Sequence, residues 1–270
     1  VTALLIALAL SPPDEGDVSR LIEALGAESI DRREAAEQEL QRLPDTVVPL
    51  LERAKADPDP ERRSRVERLL AIRTVDVQLK ALAAEAPEGR VTALKALLSM
   101  DRGSSSVIRR RGEVIPGASF IAGQAADILE RAPAGSLGFG IIVEKPKAAL
   151  KGEVPGWEVF VNDSDRPVVL ETAQDALILI QEGAGGWLAG GRATHQTRKP
   201  PTALIHLEPK EVFLKPRNLL VARHRTGNTQ GVTLQGPGTW TLVPSYWQWD
   251  AADSRWTGKL SGNRVRVEFE

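Results

Sequence analysis

The sequence predicts an α+β protein with its two classes in separate domains: an all-α N-terminal domain and a C-terminal antiparallel β-sandwich. Three observations carry this. Apolar residues recur every three or four positions from Asp17 to about Asp101, then every two positions from about Leu137 to Glu270. The turn signals change with them, from single Pro or Gly stops to clusters such as "KGEVPG", "EGAGG" and "QGPG". All six tryptophans, at 157, 187, 240, 247, 249 and 256, fall in the second part, where a sandwich core needs large inward-facing side chains. The expected division is 1–16 as a leader-like segment and linker, 17–101 helical, 102–136 a connector, and 137–270 the sandwich.

Val1 to Leu10 is almost wholly apolar and is followed by "SPPDEGD". The run is too short to cross a bilayer, which takes roughly 20 residues in a helix. Its length suits the apolar core of a secretory signal peptide; a frayed or docked N-terminal helix is the other reading. No later stretch reaches spanning length, so the sequence predicts no membrane span. Export to the periplasm or beyond is the expected location, with the cytoplasm otherwise.

In the helical part, Asp17 is placed to cap a helix carrying Val18, Leu21, Ile22 and Leu25, with Gly26 as its stop. Asp31 and Glu34 have capping-box spacing for the next helix, whose stripe is Ala36, Leu40 and Leu43. Pro44 and Asp45 break it. Val47, Leu50, Leu51 and Ala54 form a third stripe, and "DPDP" punctuates before Pro60 opens a long helix through Val66, Leu69, Leu70, Val75, Leu79 and Leu82. Pro87 and Gly89 end that helix, and Val91, Leu94, Leu97 and Leu98 make a fifth. Each stripe is narrow, so no helix can bury itself alone; stacked helix pairs solve that problem.

"DRREAAEQEL" and "PERRSRVERL" echo one another about 29 residues apart. With "VPLLERA" between them, the stretch from Val18 to Ala71 resembles a HEAT-like helical repeat. Such units come in arrays, normally of three or more, and here there is room for about two. The resemblance implies a protein-binding face on stacked helices; a compact helical spacer with solvated charged faces is the alternative.

The connector is less regular. "RGSSS" reads as loop, Arg109 to Arg111 as a solvated turn, and "SFIAGQAADILERA" as a helix weakened by Gly123. Beyond it, Phe139, Ile141 and Val143 alternate, as do Trp157, Val159 and Val161, Ile205 and Leu207, Trp240 and Leu242, and Val265, Val267 and Phe269. "ALILI" at 176–180 is apolar on both faces, as a central strand can be. The stretches "LKGEVPGWEVFVNDSDRPVVL", "LEPKEVFLKPRNLL", "GPGTWTLVPSYWQWD" and "WTGKLSGNRVRVEFE" together resemble the immunoglobulin-like sandwiches of bacterial exported and surface proteins. Gly262 stands where serine is frequent in that ending. The resemblance implies a binding or spacing module and brings no catalytic residues.

Lys plus Arg is 35 and Asp plus Glu is 36, a formal charge of −1, which gives no electrostatic reason to bind nucleic acid. Cysteine is absent, which excludes disulfides and thiolate metal sites. "GASFI" fails the nucleophile-elbow pattern at Ile121, and "GAGGWLAGG" fails the dinucleotide fingerprint at Leu188. His195, His206 and His224 lack ligand spacing. Asp163 with Asp165, and Asp250 with Asp253, are too few carboxylates for calcium and read as turn residues. Asn162-Asp163-Ser164 matches the N-glycosylation pattern by chance. The sequence therefore predicts no catalytic, cofactor or metal residues. It predicts a scaffold or adaptor of the bacterial envelope with a protein partner. Polysaccharide binding by an exposed pair, Trp247 and Trp249, is the first alternative, and an enzyme without short motifs is the second.

Overall fold

The computed structural model describes residues 14–84, 86–149, 154–171, 175–181, 187–188, 204–219, 238–248 and 258–270. The apolar run 1–10 lies outside them. Helices come first: α1 (Glu15–Ala24), α2 (Ile30–Arg42), α3 (Val48–Ala54), α4 (Pro60–Ala83), α5 (Pro87–Leu98), α6 (Ser105–Val114) and α7 (Ser119–Arg131). Strands follow: β1 (Leu137–Val143), β2 (Lys147–Ala148), β3 (Pro155–Asn162), β4 (Val168–Glu171), β5 (Asp175–Gln181), β6 (Trp187–Leu188), β7 (Leu204–Leu207), β8 (Val212–Asn218), β9 (Gly238–Gln248), β10 (Gly258–Ser261) and β11 (Val265–Phe269). The chain divides into two compact units, 1–77 and 78–270. That division falls within α4, and α5, α6 and α7 belong with the strands.

In the first unit, α1 starts at Glu15, and its cap is Asp14 rather than Asp17: Asp14 Oδ1 accepts from the Gly16 N–H at 3.2 Å. α2 starts at Ile30 with Ser29 at its N-cap, so Asp31 lies inside the first turn instead of capping it. There its charge favours the helix dipole. Val18, Ile22 and Leu25 of α1 pack with Ala36 and Leu40 of α2, Val47 and Leu51 around α3, and Val66 and Leu69 of α4. Burying each large aliphatic side chain contributes roughly 1.5–3 kcal/mol.

The turns of this unit share a device. Arg33 donates from Nη1 to the carbonyls of Ala27 and Glu28, at 2.8 and 3.1 Å. Arg63 does the same to Asp57 and Pro58, at 2.7 and 3.0 Å. Each arginine is the fourth residue of its helix and reaches six and five residues back. The turns also pack on one another: a Cβ on Gly26 would lie 2.4 Å from Asp59 Oδ2. The two bonds lie 30 residues apart, Arg33 to Arg63, against 29 for the echo in the sequence. Within the second unit the bond recurs at Arg90, fourth in α5, whose Nε donates to the Ala84 carbonyl at 2.9 Å. Pro87, expected to end the long helix, instead opens α5, where a missing N–H costs nothing.

In the second unit, residues 102–136 are not a loose connector. α6 and α7 cross closely at Gly112, where a Cβ would meet the Ala122 Cβ at 2.4 Å. Arg109, read as part of a solvated turn, lies in α6 and pairs with Asp127 at 2.9 Å and Glu130 at 3.0 Å on α7. α7 forms despite Gly123 because Ile121, Ala122, Ala125 and Ile128 are all buried.

The described strands form three small sheets: β1-β3-β8, β2-β11-β9-β5-β6 with β10 also on β9, and β4-β7. β5 sits between β9 and β6, as its two-faced apolarity predicts. The described ladders are antiparallel except β11 with β2, which is parallel. β1 is buried along its whole length, not on alternate residues. One face carries Phe139, Ile141 and Val143. On the other, Gly138 and Gly140 let α7 approach: a Cβ at Gly140 would fall 2.5 Å from Ile128 Cγ1. Ile141, Val143, Trp240, Leu242, Val265, Val267 and Phe269 form one core. Phe139, Phe160 and Tyr246 anchor another, with ring centroids 4.9–5.8 Å apart.

Three buried carboxamides tie this unit together. Gln124 of α7 accepts from the Val143 N–H at 2.7 Å and donates to the Val143 carbonyl at 3.0 Å. Asn263, between β10 and β11, makes the same pair of bonds to Ile141, at 2.8 and 2.9 Å. Asn162 donates to the carbonyls of Arg166, Leu207 and Glu208 and accepts from Ser164, so it is fully used and wholly buried. In the folded protein the N-glycosylation match at Asn162 is therefore inaccessible.

Candidate binding surface

Ser29 and the Arg33 bond fix where α2 begins. From there the helical period brings Glu34, Gln38 and Gln41 to one face, with Glu37 at its edge. α4 begins at Pro60 because Asp59 caps it, its Oδ1 accepting from the Glu61 N–H at 2.9 Å. That start sets Arg65 and Arg68 on the side facing α2. The six side chains line a polar depression of about 280 Å3.

An ion cluster fixes its floor. Glu37 Oε2 accepts from Arg65 Nη1 at 2.7 Å and from Arg68 Nη2 at 2.6 Å. Arg65 Nε donates to Glu61 at 2.6 Å. Arg65 and Glu37 keep only 11% and 12% of their side-chain surface, whereas Arg68 keeps 52%. Burial works against the Arg65 charge, but the Glu61 hydrogen bond and the fields of Glu61 and Glu37 outweigh it and raise its pKa. The result is a rigid floor bearing both signs of charge, with Glu34, Gln38 and Gln41 exposed along the rim. Such a surface offers hydrogen-bond donors and acceptors and holds no nucleophile. The sequence presents these residues only as charged helix faces; the signal that marks them is the i, i+4, i+7 spacing of 34, 38 and 41 opposite 65 and 68.

Among the described residues, those singled out from the sequence are not gathered into a site. Trp247 lies in β9, one position from the buried Tyr246 and opposite Lys259 of β10. Trp249 lies outside the described residues, as do Trp256, His195, His224, Asp250 and Asp253. Trp157 and Trp240 are core residues. His206 is exposed on β7. Asp163 ties loops together: Oδ1 accepts from Lys210 Nζ at 2.8 Å and Oδ2 from the Gly135 N–H at 3.0 Å. The Lys210 bond, then the Gly135 bond, hold its carboxyl below the usual carboxylate range. Among the described residues no cluster of three His, Asp or Glu is placed to hold a metal, and no helix is long and apolar enough to cross a membrane.

No family model matches the chain, and no curated protein matches it. Among solved structures, a β-glucosidase from Erythrobacter marinus is 15% identical over 50% of this chain and 15% of its own, with a TM-score of 0.29. An alkylpurine DNA glycosylase of Pseudomonas fluorescens is 12% identical over 94% of this chain and 64% of its own, with a TM-score of 0.25. A β-glucosidase from Listeria innocua is 11% identical over 47% and 16%, with a TM-score of 0.21. The chain spans less than two thirds of each. Likeness this remote assigns neither fold nor activity.

Proposed function

We propose that the protein is a non-catalytic scaffold or adaptor that binds a protein partner on its helical surface, with the strand-rich unit as spacer or attachment module. The observation that carries this is the α2–α4 depression, where a fixed ion cluster underlies an exposed row of Glu34, Gln38 and Gln41. The arginine bonds at 33, 63 and 90 support reading the helices as HEAT-like repeats. The immunoglobulin-like reading of the strands rests on sequence resemblance alone. Export is part of the same proposal and rests on the apolar run 1–10.

The test is to immobilise the native chain and a Gln38→Trp variant and pass envelope and soluble extracts of the source cells over both. Gln38 is exposed and outside the ion cluster, so the indole fills the depression without disturbing the fold. A protein retained by the native chain and lost with the variant is the expected result. Equal retention by both sinks the proposal.

A further inference from the structure

Among the described residues no strand lies beside β1 on the side away from β3; at Ile141 and Val143 two side chains stand in for one. Gln124 covers Val143 from α7, and Asn263 covers Ile141 from the closing strands. Asn263 is there because of an extra residue. β10 pairs with β9 up to Ser261 opposite Ser245, and β11 resumes at Val265 opposite Leu242. Three residues, Gly262 to Arg264, thus face two, Val243 and Pro244. This is a bulge, the device by which a strand re-aims one side chain. Gly262 fits because nothing larger would: its Cβ would lie 2.6 Å from Pro244 Cγ and 3.0 Å from the Gly140 Cα. That explains why serine does not stand there.

We infer that the bulge makes Asn263 a latch between the two larger sheets, and that this seam is where the second unit opens. Within each sheet many ladder bonds must break together. Across the seam the sheets share an apolar core, which packs without direction, and the described hydrogen bonds to Ile141 come from one carboxamide. Opening exposes the main-chain edge of "LGFGIIV", an uncharged segment that is otherwise buried throughout. Such an edge is a template for pairing with another chain. The latch therefore also guards against self-association.

The test is hydrogen exchange on the full chain with Asn263→Asp. The carboxylate still accepts from the Ile141 N–H but sets an oxygen against the Ile141 carbonyl. Peptides covering 137–143 and 258–270 should exchange about 10- to 100-fold faster, with β3 and β8 unchanged and dimers or larger species appearing at high concentration. Asn263→Ser, which keeps a hydroxyl donor but is too short to reach both groups, serves as the milder second variant and should give the same pattern at smaller amplitude. Acceleration spread evenly over 137–270 would show a merely destabilised fold without a seam. Unchanged exchange in both variants would remove the latch altogether.

Discussion

The two units meet one difficulty in different ways. Wherever a chain leaves a helix or strand, main-chain N–H and C=O groups lose their partners. In the first unit, long cations satisfy them, half-buried at Arg33 and Arg63 and buried at Arg73. Arg33 and Arg63 cover the carbonyls of two turns, and Arg73 covers those of Leu40 and Leu43 at the end of α2, at 2.7 and 2.9 Å. In the second unit Arg90 repeats that device at one helix start, but around the strands short neutral carboxamides inside the core satisfy them. A half-exposed arginine such as Arg63 can be lost and water takes its place; a buried amide has no substitute. A device's cost of removal therefore follows from where it sits.

Asn162→Ala is the severest test. It removes five hydrogen bonds made by one wholly buried side chain and should cost about 3 kcal/mol, since each such bond contributes about 0.5–1.5 kcal/mol net. Denaturation followed by tryptophan fluorescence measures it, because all six tryptophans lie in this unit. Gly140→Ala comes next, at about 1–3 kcal/mol, since the new methyl strikes Ile128 and Asn263; the same melt reads it. Arg63→Ala should cost about 1 kcal/mol, seen by circular dichroism at helical wavelengths with tryptophan fluorescence unmoved. A loss equal to that of Asn162→Ala would break the comparison.

The smallest effect is at Asp163. Its folded carboxyl titrates below its unfolded value of about 3.9, so its contribution is present above that pH and is lost as pH falls through the folded value. Asp163→Asn should therefore flatten the loss of stability below about pH 4 and leave the rest of the profile unchanged. A thermal-melt series in acid checks it.

Periodicity made most elements legible. The strands around Phe139, Trp157, Ile205 and Val265 lie where alternation puts them, and so do the α1 to α5 stripes, because apolar spacing reports burial directly. α6 went unread because Gly112 and the three arginines look like a turn until Asp127 and Glu130 are brought beside them. Gln124 and Asn263 left no signal at all: a polar residue inside a helix or between two strands looks like a solvated one, and what each bonds is main chain far away. The α2–α4 depression was half legible. Its residues are plain, but their meeting depends on a tertiary contact between helices.

The arginine bonds in the turns have an evolutionary consequence. They address carbonyl oxygens, which every amino acid supplies, so the residues being held are free to differ: Ala27, Asp57 and Ala84 occupy the same place. Spacing is nearly as free, since Arg33 to Arg63 is 30 positions and Arg63 to Arg90 is 27. A motif built this way can drift until one letter in about thirty still records it, while the shape of the turn persists.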